Sequence, residues 1–223
     1  MILNLLIISD VHGRVDLVKH VREVNNADLI VFAGDIAPYG DVYKSFDVLA
    51  KFVEYVGSKA VIAVPGNMDP LSIYERAEHE LGVRVVHGKA FTINNVAFIG
   101  VGGSPPTPFR TITEFPESVI GELLMRAYGE VRKRDKIVLV THAPPHNTKC
   151  DVVVTGQHVG SVKVREFVEE HQPVLCVCGH IHESRAVDVI GVTKVVNPGP
   201  LFRRYFATAE ILENTVKVEL RRF

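Results

Sequence analysis

The sequence LLIISDVH, residues 5–12, joins a continuously apolar run to an Asp-x-His pair. Four consecutive residues of leucine and isoleucine are typical of a β-strand that is covered on both faces. Asp10 and His12 then fall where the strand should end and its loop should begin. Because α/β folds place their sites outside the carboxyl ends of strands, this stretch predicts a buried strand with a polar site at its end.

The same arrangement recurs four times along the chain. Apolar runs lie at 29–32, 61–64, 137–140 and 174–177. They are followed by Gly34-Asp35, Gly66-Asn67, Thr141-His142 and the sequence GHIH at 179–182. Each pair alone is compatible with an ordinary turn or a strand-end histidine. Their conjunction favours one shared site, and its seven nitrogen and oxygen ligands are too many for one tetrahedral ion but suit two adjacent ions.

Strands and helices alternate in the sequence, which predicts an α/β fold with a largely parallel sheet at its start. Further apolar runs lie at 96–101 and 195–196, and the alternating runs Tyr205–Leu212 and Thr215–Leu220 predict a hairpin. Helical spacing is found at 15–24, 46–53, 120–127 and 162–168. No composition shift marks a linker, so we predict a single domain over residues 1–223, with 100–108 as a loop that joins two halves of one fold.

Composition narrows the class of protein. The formal net charge of −1 provides no global field for nucleic acid or anionic lipid. Three cysteines are too few, and odd in number, for a disulfide framework, which favours a reducing compartment. The apolar N-terminal segment lacks the features of a signal peptide, and no apolar run approaches the roughly 18 residues that suggest a membrane span. We therefore expect a cytoplasmic protein with no membrane partner.

The combined pattern D-x-H, G-D, G-N, H and G-H-x-H resembles the calcineurin-like metallophosphoesterase superfamily, in particular its small prokaryotic and archaeal phosphodiesterase-type members. The sequence NPGP at 197–200 also resembles a loop common near the end of such domains. The resemblance therefore extends over nearly the whole chain. It implies a four-layer αββα sandwich, in which two facing mixed β-sheets are flanked by helices.

The resemblance also implies a role for each ligand. The first ion should be bound by Asp10, His12 and His182, and the second by Asn67, His142 and His180. Asp35 should bridge the two ions. These seven residues are the predicted metal ligands and catalytic residues, and the hydroxide that the two ions generate should attack phosphorus in line. Mixed nitrogen and oxygen ligands favour Mn, with Fe, Zn, Ni and Co as alternatives.

One position departs from the family pattern. Many members have a histidine directly after the Gly-Asn pair, where it donates a proton or holds the phosphate, but here that residue is Met68. A thioether does neither. Besides Asn67, the candidates for substrate binding are His158, His146 and Arg14. A solvated loop histidine remains the favoured interpretation of His146, a surface arginine that of Arg14, and His158 is evenly balanced.

The predicted function is hydrolysis of phosphodiester bonds in a small phosphate-ester substrate. Without a donor histidine or an evident arginine clamp, a dianionic monoester has little to hold its extra charge. A phosphomonoesterase of the same fold is one alternative. A nuclease is another, disfavoured because it needs a basic groove. A metal-binding scaffold without catalysis should have lost ligands, whereas this chain keeps all seven. A homodimer is left open.

Overall fold

Two six-stranded sheets form the centre of the molecule in the computed structural model, which describes residues 2–39, 41–133 and 135–223. The first sheet has the order β12-β11-β1-β2-β3-β4. Its strands are β1 (Leu3–Ile8), β2 (Leu29–Phe32), β3 (Ala60–Ala63), β4 (Arg84–Val85), β11 (Tyr205–Ile211) and β12 (Val216–Arg222). Strands β1 to β4 pair in parallel, whereas β11 and β12 pair antiparallel, so the sheet is mixed.

The second sheet has the order β5-β6-β7-β8-β10-β9. Its strands are β5 (Ala90–Ile93), β6 (Val96–Val101), β7 (Lys136–Thr141), β8 (Leu175–Val177), β9 (Ala186–Ile190) and β10 (Thr193–Asn197). The four inner strands pair in parallel, and β5 and β9 close the edges in antiparallel orientation. Parallel pairing places the loops that follow neighbouring strands along one edge of each sheet.

The described residues form four α-helices, which cover the outer faces of the sheets. Helices α1 (Ser45–Val56) and α2 (Leu71–Glu80) pack on the first sheet, and α3 (Glu117–Tyr128) and α4 (Val162–His171) pack on the second. The order of layers is therefore helix, sheet, sheet, helix, which confirms the predicted αββα sandwich. No helix within the described residues is long and apolar enough to cross a bilayer.

The continuous apolar runs of the sequence are explained by this layering. In β1, Leu5 and Ile7 pack between the two sheets, whereas Leu6 and Ile8 pack under the helices. Alternate side chains of a strand point to opposite faces, so a strand with both faces covered needs apolar residues at every position. Full burial of each such side chain contributes roughly 1.5–3 kcal/mol.

Two helical segments differ from the sequence prediction. Residues 15–24 form two 3-10 segments, Val15–His20 and Arg22–Asn26, rather than an α-helix. The valines of this segment are spaced by three, which matches the three residues per turn of a 3-10 helix. Helix α2 was not predicted, because only Tyr74 and Ala77 of its ten residues are buried and its apolar pattern is correspondingly weak.

Candidate metal centre

The first group of predicted ligands converges at the ends of β1, β2 and β8. Asp10, His12, Asp35 and His182 each offer one ligand atom, and these atoms lie within 4.8 Å of one another. His182 Nε2 is 3.3 Å from His12 Nε2 and 3.2 Å from Asp10 Oδ1. His12 Nε2 is 3.5 Å from Asp35 Oδ2. The loops of both sheets therefore contribute to one cluster.

The second group lies on the other side of Asp35. His142 Nε2 is 2.9 Å from Asn67 Oδ1 and 3.4 Å from Asp35 Oδ2, and the ring centroids of His142 and His180 are 5.0 Å apart. The backbone N–H of Met68 donates to Asp35 Oδ1 at 2.8 Å. That bond occupies one carboxylate oxygen and leaves Oδ2 between His12 and His142. The structure thus brings all seven predicted ligands together around one carboxylate.

The donor set fits divalent cations. His142 Nδ1 lies 2.7 Å from the carbonyl oxygen of Ala33 and must donate to it, so Nε2 of the neutral ring is an acceptor. It faces Asn67 Oδ1, also an acceptor, because Asn67 Nδ2 donates to Thr111 Oγ1 at 2.9 Å. A cation between two such acceptors satisfies both. His12 Nδ1 is also buried without a hydrogen-bond partner among the described residues.

Electrostatics favour positive charge at this position. Burial alone would raise the pKa of Asp10, but the hydrogen bond from His182 and the neighbouring imidazoles hold it well below its usual range. Burial disfavours a charged His142, yet Asp35 raises the pKa of that imidazole to about 9, so a proton occupies Nε2 until a cation replaces it and leaves the neutral ring. Burial and His142 lower the pKa of His180 to about 4. The carboxylates are thus ionised and attract a positive charge, which a bound ion supplies.

Local backbone conformation explains how short loops present so many ligands. Four of the predicted ligands have left-handed backbone, with φ values of 54° at Asp10, 43° at His12, 60° at Asp35 and 68° at His180. Residues other than glycine adopt this region uncommonly, and such strained positions cluster at functional sites.

The glycines of the Gly-Asn and Gly-His pairs permit close approach between these loops. A Cβ at Gly66 would collide with the carboxylate of Asp35, and one at Gly179 would collide with the hydroxyl of Ser9. These two glycines therefore allow the loops from different strands to meet at the centre.

A buried carboxylate, Asp69, fastens the loops of the first sheet. It accepts hydrogen bonds at 2.8–3.2 Å from five donors: the backbone N–H groups of Asp35, Ile36, Ala37 and Gly66 and the hydroxyl of Tyr74. Burial and the nearby Asp35 carboxylate raise the pKa of Asp69, and the N–H groups oppose that rise. Sequence reasoning gave Asp69 no role, although its place two residues after Asn67 was a usable signal.

A buried amide, Asn197, fastens the loop that follows β8. Its Nδ2 donates to the carbonyl oxygens of Ile181 at 2.9 Å, Gly179 at 3.3 Å and Cys150 at 3.4 Å, and its Oδ1 accepts from the Gly199 N–H at 2.9 Å. Asn197 thereby holds the backbone on either side of His180. The sequence NPGP had been singled out only by resemblance, and its physical role is this connection.

A cleft of about 790 Å³ opens over the metal centre. Its floor includes His12, Asp35, Asn67, His180 and His182, and its walls are mostly apolar. The apolar wall residues include Tyr39, Met68, Pro105, Pro106, Pro108, Phe109, Val153, Val154, Val159 and Ile181. Among the described residues that line the cleft there is no lysine or arginine.

Three other predicted substrate-binding residues lie beyond the lining of this cleft. His158 Nδ1 is 2.6 Å from Asp151 Oδ1, and His146 Nδ1 is 3.6 Å from Asp151 Oδ2. Arg14 has an exposed side chain 3.5 Å from the carboxylate of Asp16. Asn67 does line the cleft. Substrate contact by His146, His158 and Arg14 stays a prediction.

A centre of clustered imidazoles and carboxylates at strand ends, on this fold, defines a metal-dependent hydrolase of phosphate esters. The calcineurin-like phosphoesterase family matches residues 3–184, and the chain belongs to that family. This confirms the family predicted from the sequence and supports a divalent metal site at Asp10, His12, Asp35 and His182. The uncharacterized protein MJ1162 of Methanocaldococcus jannaschii is 38% identical over 205 residues, which cover 89% of this chain and 88% of that one.

Solved structures share the fold at low sequence identity. The protein TT1561 of Thermus thermophilus has a TM-score of 0.75 at 20% identity, with 100% of this chain and 99% of that one covered. The 5'-nucleotidase of Candida albicans has a TM-score of 0.61 at 12% identity, with 99% of this chain and 52% of that one covered. These likenesses extend to the fold alone.

Proposed function

We propose that the protein hydrolyses phosphodiesters with two divalent ions bound at this centre, manganese being the first candidate. One ion would be held by Asp10, His12 and His182, and the other by Asn67, His142 and His180. Asp35 Oδ2 would be shared, which its distances of 3.5 and 3.4 Å from His12 Nε2 and His142 Nε2 support. Bound divalent ions supply a water that is deprotonated near neutral pH and positive charge against the phosphate oxygens.

The chain's own residues position the centre and the substrate. The Met68 N–H holds one oxygen of Asp35, so the other oxygen keeps its place between the two ligand groups. Thr111 orients the amide of Asn67 so that Oδ1 faces inward. The buried surroundings of Asp10 and His142 exclude water from behind the ligands. Such fixed geometry is what allows a site to stabilise charge that develops during reaction.

The absence of a cationic side chain among the described lining residues carries the choice of a diester. A phosphodiester brings one negative charge to the ions, whereas a phosphomonoester brings close to two at neutral pH. The additional charge of a monoester would need a lysine or arginine, and the walls of the cleft offer proline, valine and methionine instead. The cleft therefore favours the monoanionic ester.

Met68 determines which bonds break readily. It lines the cleft next to Asn67 but has no proton to give to a departing alkoxide. Esters whose leaving group is a stable anion should therefore react fastest.

The proposed location is the cytoplasm. The three cysteines are free and buried, which supports that proposal.

The test begins with protein stripped of metal and reloaded with Mn. Metal analysis should give two ions per chain, and bis-p-nitrophenyl phosphate should be hydrolysed with a kcat/KM at least about tenfold above that for p-nitrophenyl phosphate, equal to about 1.4 kcal/mol in favour of the diester. Asp35→Asn should lower turnover at least about a hundredfold, because it weakens the shared ligand.

The exposed carboxylate Asp16 provides the matched control, and Asp16→Asn should leave turnover unchanged. A preference for the monoester would refute the diesterase. A single bound ion at saturating Mn would refute the two-ion centre. An active Asp35→Asn variant would show that the shared carboxylate is dispensable.

A further inference from the structure

We infer that the cleft beside the metal centre is a subsite for an uncharged, ring-sized apolar group on one ester oxygen of the substrate, and that Phe109 is its principal contact. This inference rests on the proposed function, because it takes the phosphate to lie at the metal centre. It adds the chemical nature of the group that is esterified to that phosphate. The residues that carry it lie on two stretches of the cleft lining, 105–111 and 153–159.

The segment 105–111 is held in one shape although it lies at the surface. The Glu114 carboxylate accepts from the hydroxyl of Thr107 at 2.7 Å and from both the N–H and the hydroxyl of Thr111, at 2.7 and 2.6 Å. These bonds outweigh the effect of desolvation and lower the pKa of Glu114 to about 2. Prolines 105, 106 and 108 restrict the backbone further.

Phe109 is displayed at the tip of this fixed segment. Its side chain is 84% exposed, while its N–H donates to the Thr107 hydroxyl at 3.2 Å. Phe109 and Val154 are both largely exposed and line one cleft together with three prolines, and a contiguous apolar surface of this kind, unlike a single exposed side chain, marks a ligand-binding site. Phe109 lines the same cleft as the metal ligands, so the covering group must fit that cleft.

The segment is connected directly to the centre. The Thr111 hydroxyl that donates to Glu114 also accepts from Asn67 Nδ2 at 2.9 Å. One chain of hydrogen bonds therefore fixes both a predicted metal ligand and the loop that carries Phe109. The loop and the predicted ligands line one cleft, so a substrate bound through its phosphate at the centre would have this loop beside it.

A second stretch of the cleft lining, residues 153–159, presents three valines beside Thr155 and Gln157 and is connected to the same centre. Val154 is largely exposed, and its N–H donates to the carboxylate of Glu183, the residue that follows the predicted ligand His182. Val153 and Val159 line the cleft beside it. Tyr39 stacks on the ring of His12 at 4.1 Å and extends the apolar surface to the floor.

These surfaces define the chemistry of the occupant. Two largely apolar stretches of the lining, one of which displays an aromatic ring, favour a flat or compact hydrocarbon group. The described lining residues include no cation that would receive a second phosphate or a carboxylate. The substrate class is therefore a phosphodiester of an aromatic or similarly apolar alcohol.

Binding of two non-chromogenic diesters to the Mn-loaded protein tests the subsite without requiring turnover. Diphenyl phosphate should bind at least about tenfold more tightly than dimethyl phosphate in calorimetry, because burial of a phenyl group removes apolar area from water. Phe109→Ala should weaken diphenyl phosphate binding about tenfold and leave dimethyl phosphate unchanged. Phe109→Leu should lose no more than about threefold, since it keeps an apolar contact.

Tyr43→Ala provides the matched control, because Tyr43 is 95% exposed and does not line the cleft. In turnover assays Phe109→Ala should raise KM for bis-p-nitrophenyl phosphate with kcat and bound Mn unchanged, a split that a misfolded variant would not give. Equal affinity for the two diesters, or an unaltered affinity in Phe109→Ala, overturns the subsite. Phe109-dependent binding without hydrolysis of any diester would instead sink the proposed function.

Discussion

The two halves of the metal centre are fastened by opposite chemistry. Loops from the first sheet turn their N–H groups inward, and Asp69 accepts five hydrogen bonds from that half. The loop after β8 turns its carbonyl groups inward, and Asn197 donates to three carbonyl oxygens in and beside it. Both side chains hold loops of the centre by hydrogen bonds to the backbone. Asp69 brings a buried carboxylate to this task, whereas Asn197 brings a neutral amide.

The backbone groups that a loop turns inward determine which side chain can hold it: N–H groups need an acceptor, and carbonyl groups need a donor. Left-handed backbone at Asp35 helps to aim several N–H groups at one point, and only an acceptor with free lone pairs serves them all. Hydrogen bonds to an ionised acceptor are about twice as strong as neutral ones. The first-sheet half should therefore depend on its anchor more heavily than the second-sheet half does.

The largest effect should come from Asp69→Asn. The new amide would turn an N–H group toward backbone donors that now bind a carboxylate oxygen, so we expect a loss of about 4 kcal/mol in the free energy of unfolding. Urea denaturation at pH 7 measures it, with the exposed Asp16→Asn as the control. A loss below about 1 kcal/mol would show that the first-sheet half does not depend on this anchor.

The next effect concerns a hydrogen bond that joins the two sheets. His87 follows β4 of the first sheet, and its Nδ1 accepts from the N–H of Gly102, which follows β6 of the second. Burial and the charge of Arg126 lower the pKa of His87 to about 4, below its ordinary value of 6.5. The unfolded chain therefore binds the proton first as the pH falls. The contribution of neutral His87 to the free energy of unfolding is complete above pH 6.5. It declines as the pH falls toward 4, by about 3 kcal/mol in total.

His87→Asn isolates this contribution, because the amide oxygen can take over the bond from Gly102 without titrating. Unfolding free energies of the two proteins should be similar at pH 7, and the variant should exceed the wild type by about 3 kcal/mol at pH 4. His79→Asn, at an exposed position, is the control. Parallel pH profiles for His87→Asn and the wild type would show that protonation of His87 does not lower the stability of the fold.

The smallest of the three effects should come from Asn197→Ala. The variant leaves the carbonyl oxygens of Gly179 and Ile181 without their neutral donor, at an expected cost of about 2 kcal/mol in unfolding free energy. Exposed Asn214→Ala is its control. If Asn197→Ala proved as costly as Asp69→Asn, the distinction between a charged and a neutral anchor would lose its energetic meaning.

The α/β alternation and the positions of the predicted ligands at strand ends were predictable because both follow from local patterns, whereas the αββα layering was implied by the family resemblance. Runs such as 5–8 and 137–140 are apolar at consecutive positions, which only strands covered on both faces require. The polar residues that follow them meet because parallel strands end at a common edge. The C-terminal hairpin was equally visible, with β11 at Tyr205–Ile211 and β12 at Val216–Arg222.

The anchors and the cleft could not be predicted in the same way. Asn197 reaches carbonyl groups of residues 150, 179 and 181, and no local pattern encodes such a contact. The prediction that residues 100–108 join two halves of the fold was wrong, because they lead from the end of β6 toward α3, both of the second half, and the chain passes between the sheets earlier, between β4 and β5. Their role as a wall of the cleft depends on where the two sheets place them. Residues 15–24 were assigned to an α-helix because a spacing of three residues fits either kind of helix over a short stretch.

The left-handed backbone of Asp10, His12, Asp35 and His180 has a consequence for the variability of this chain. Each such residue costs on the order of 1 kcal/mol relative to an ordinary conformation. Glycine at any of these positions would relax the backbone and delete a ligand in the same step. Stability therefore favours glycine at these four positions, whereas activity requires the present side chains. Selection for heat resistance alone would replace these predicted ligands first.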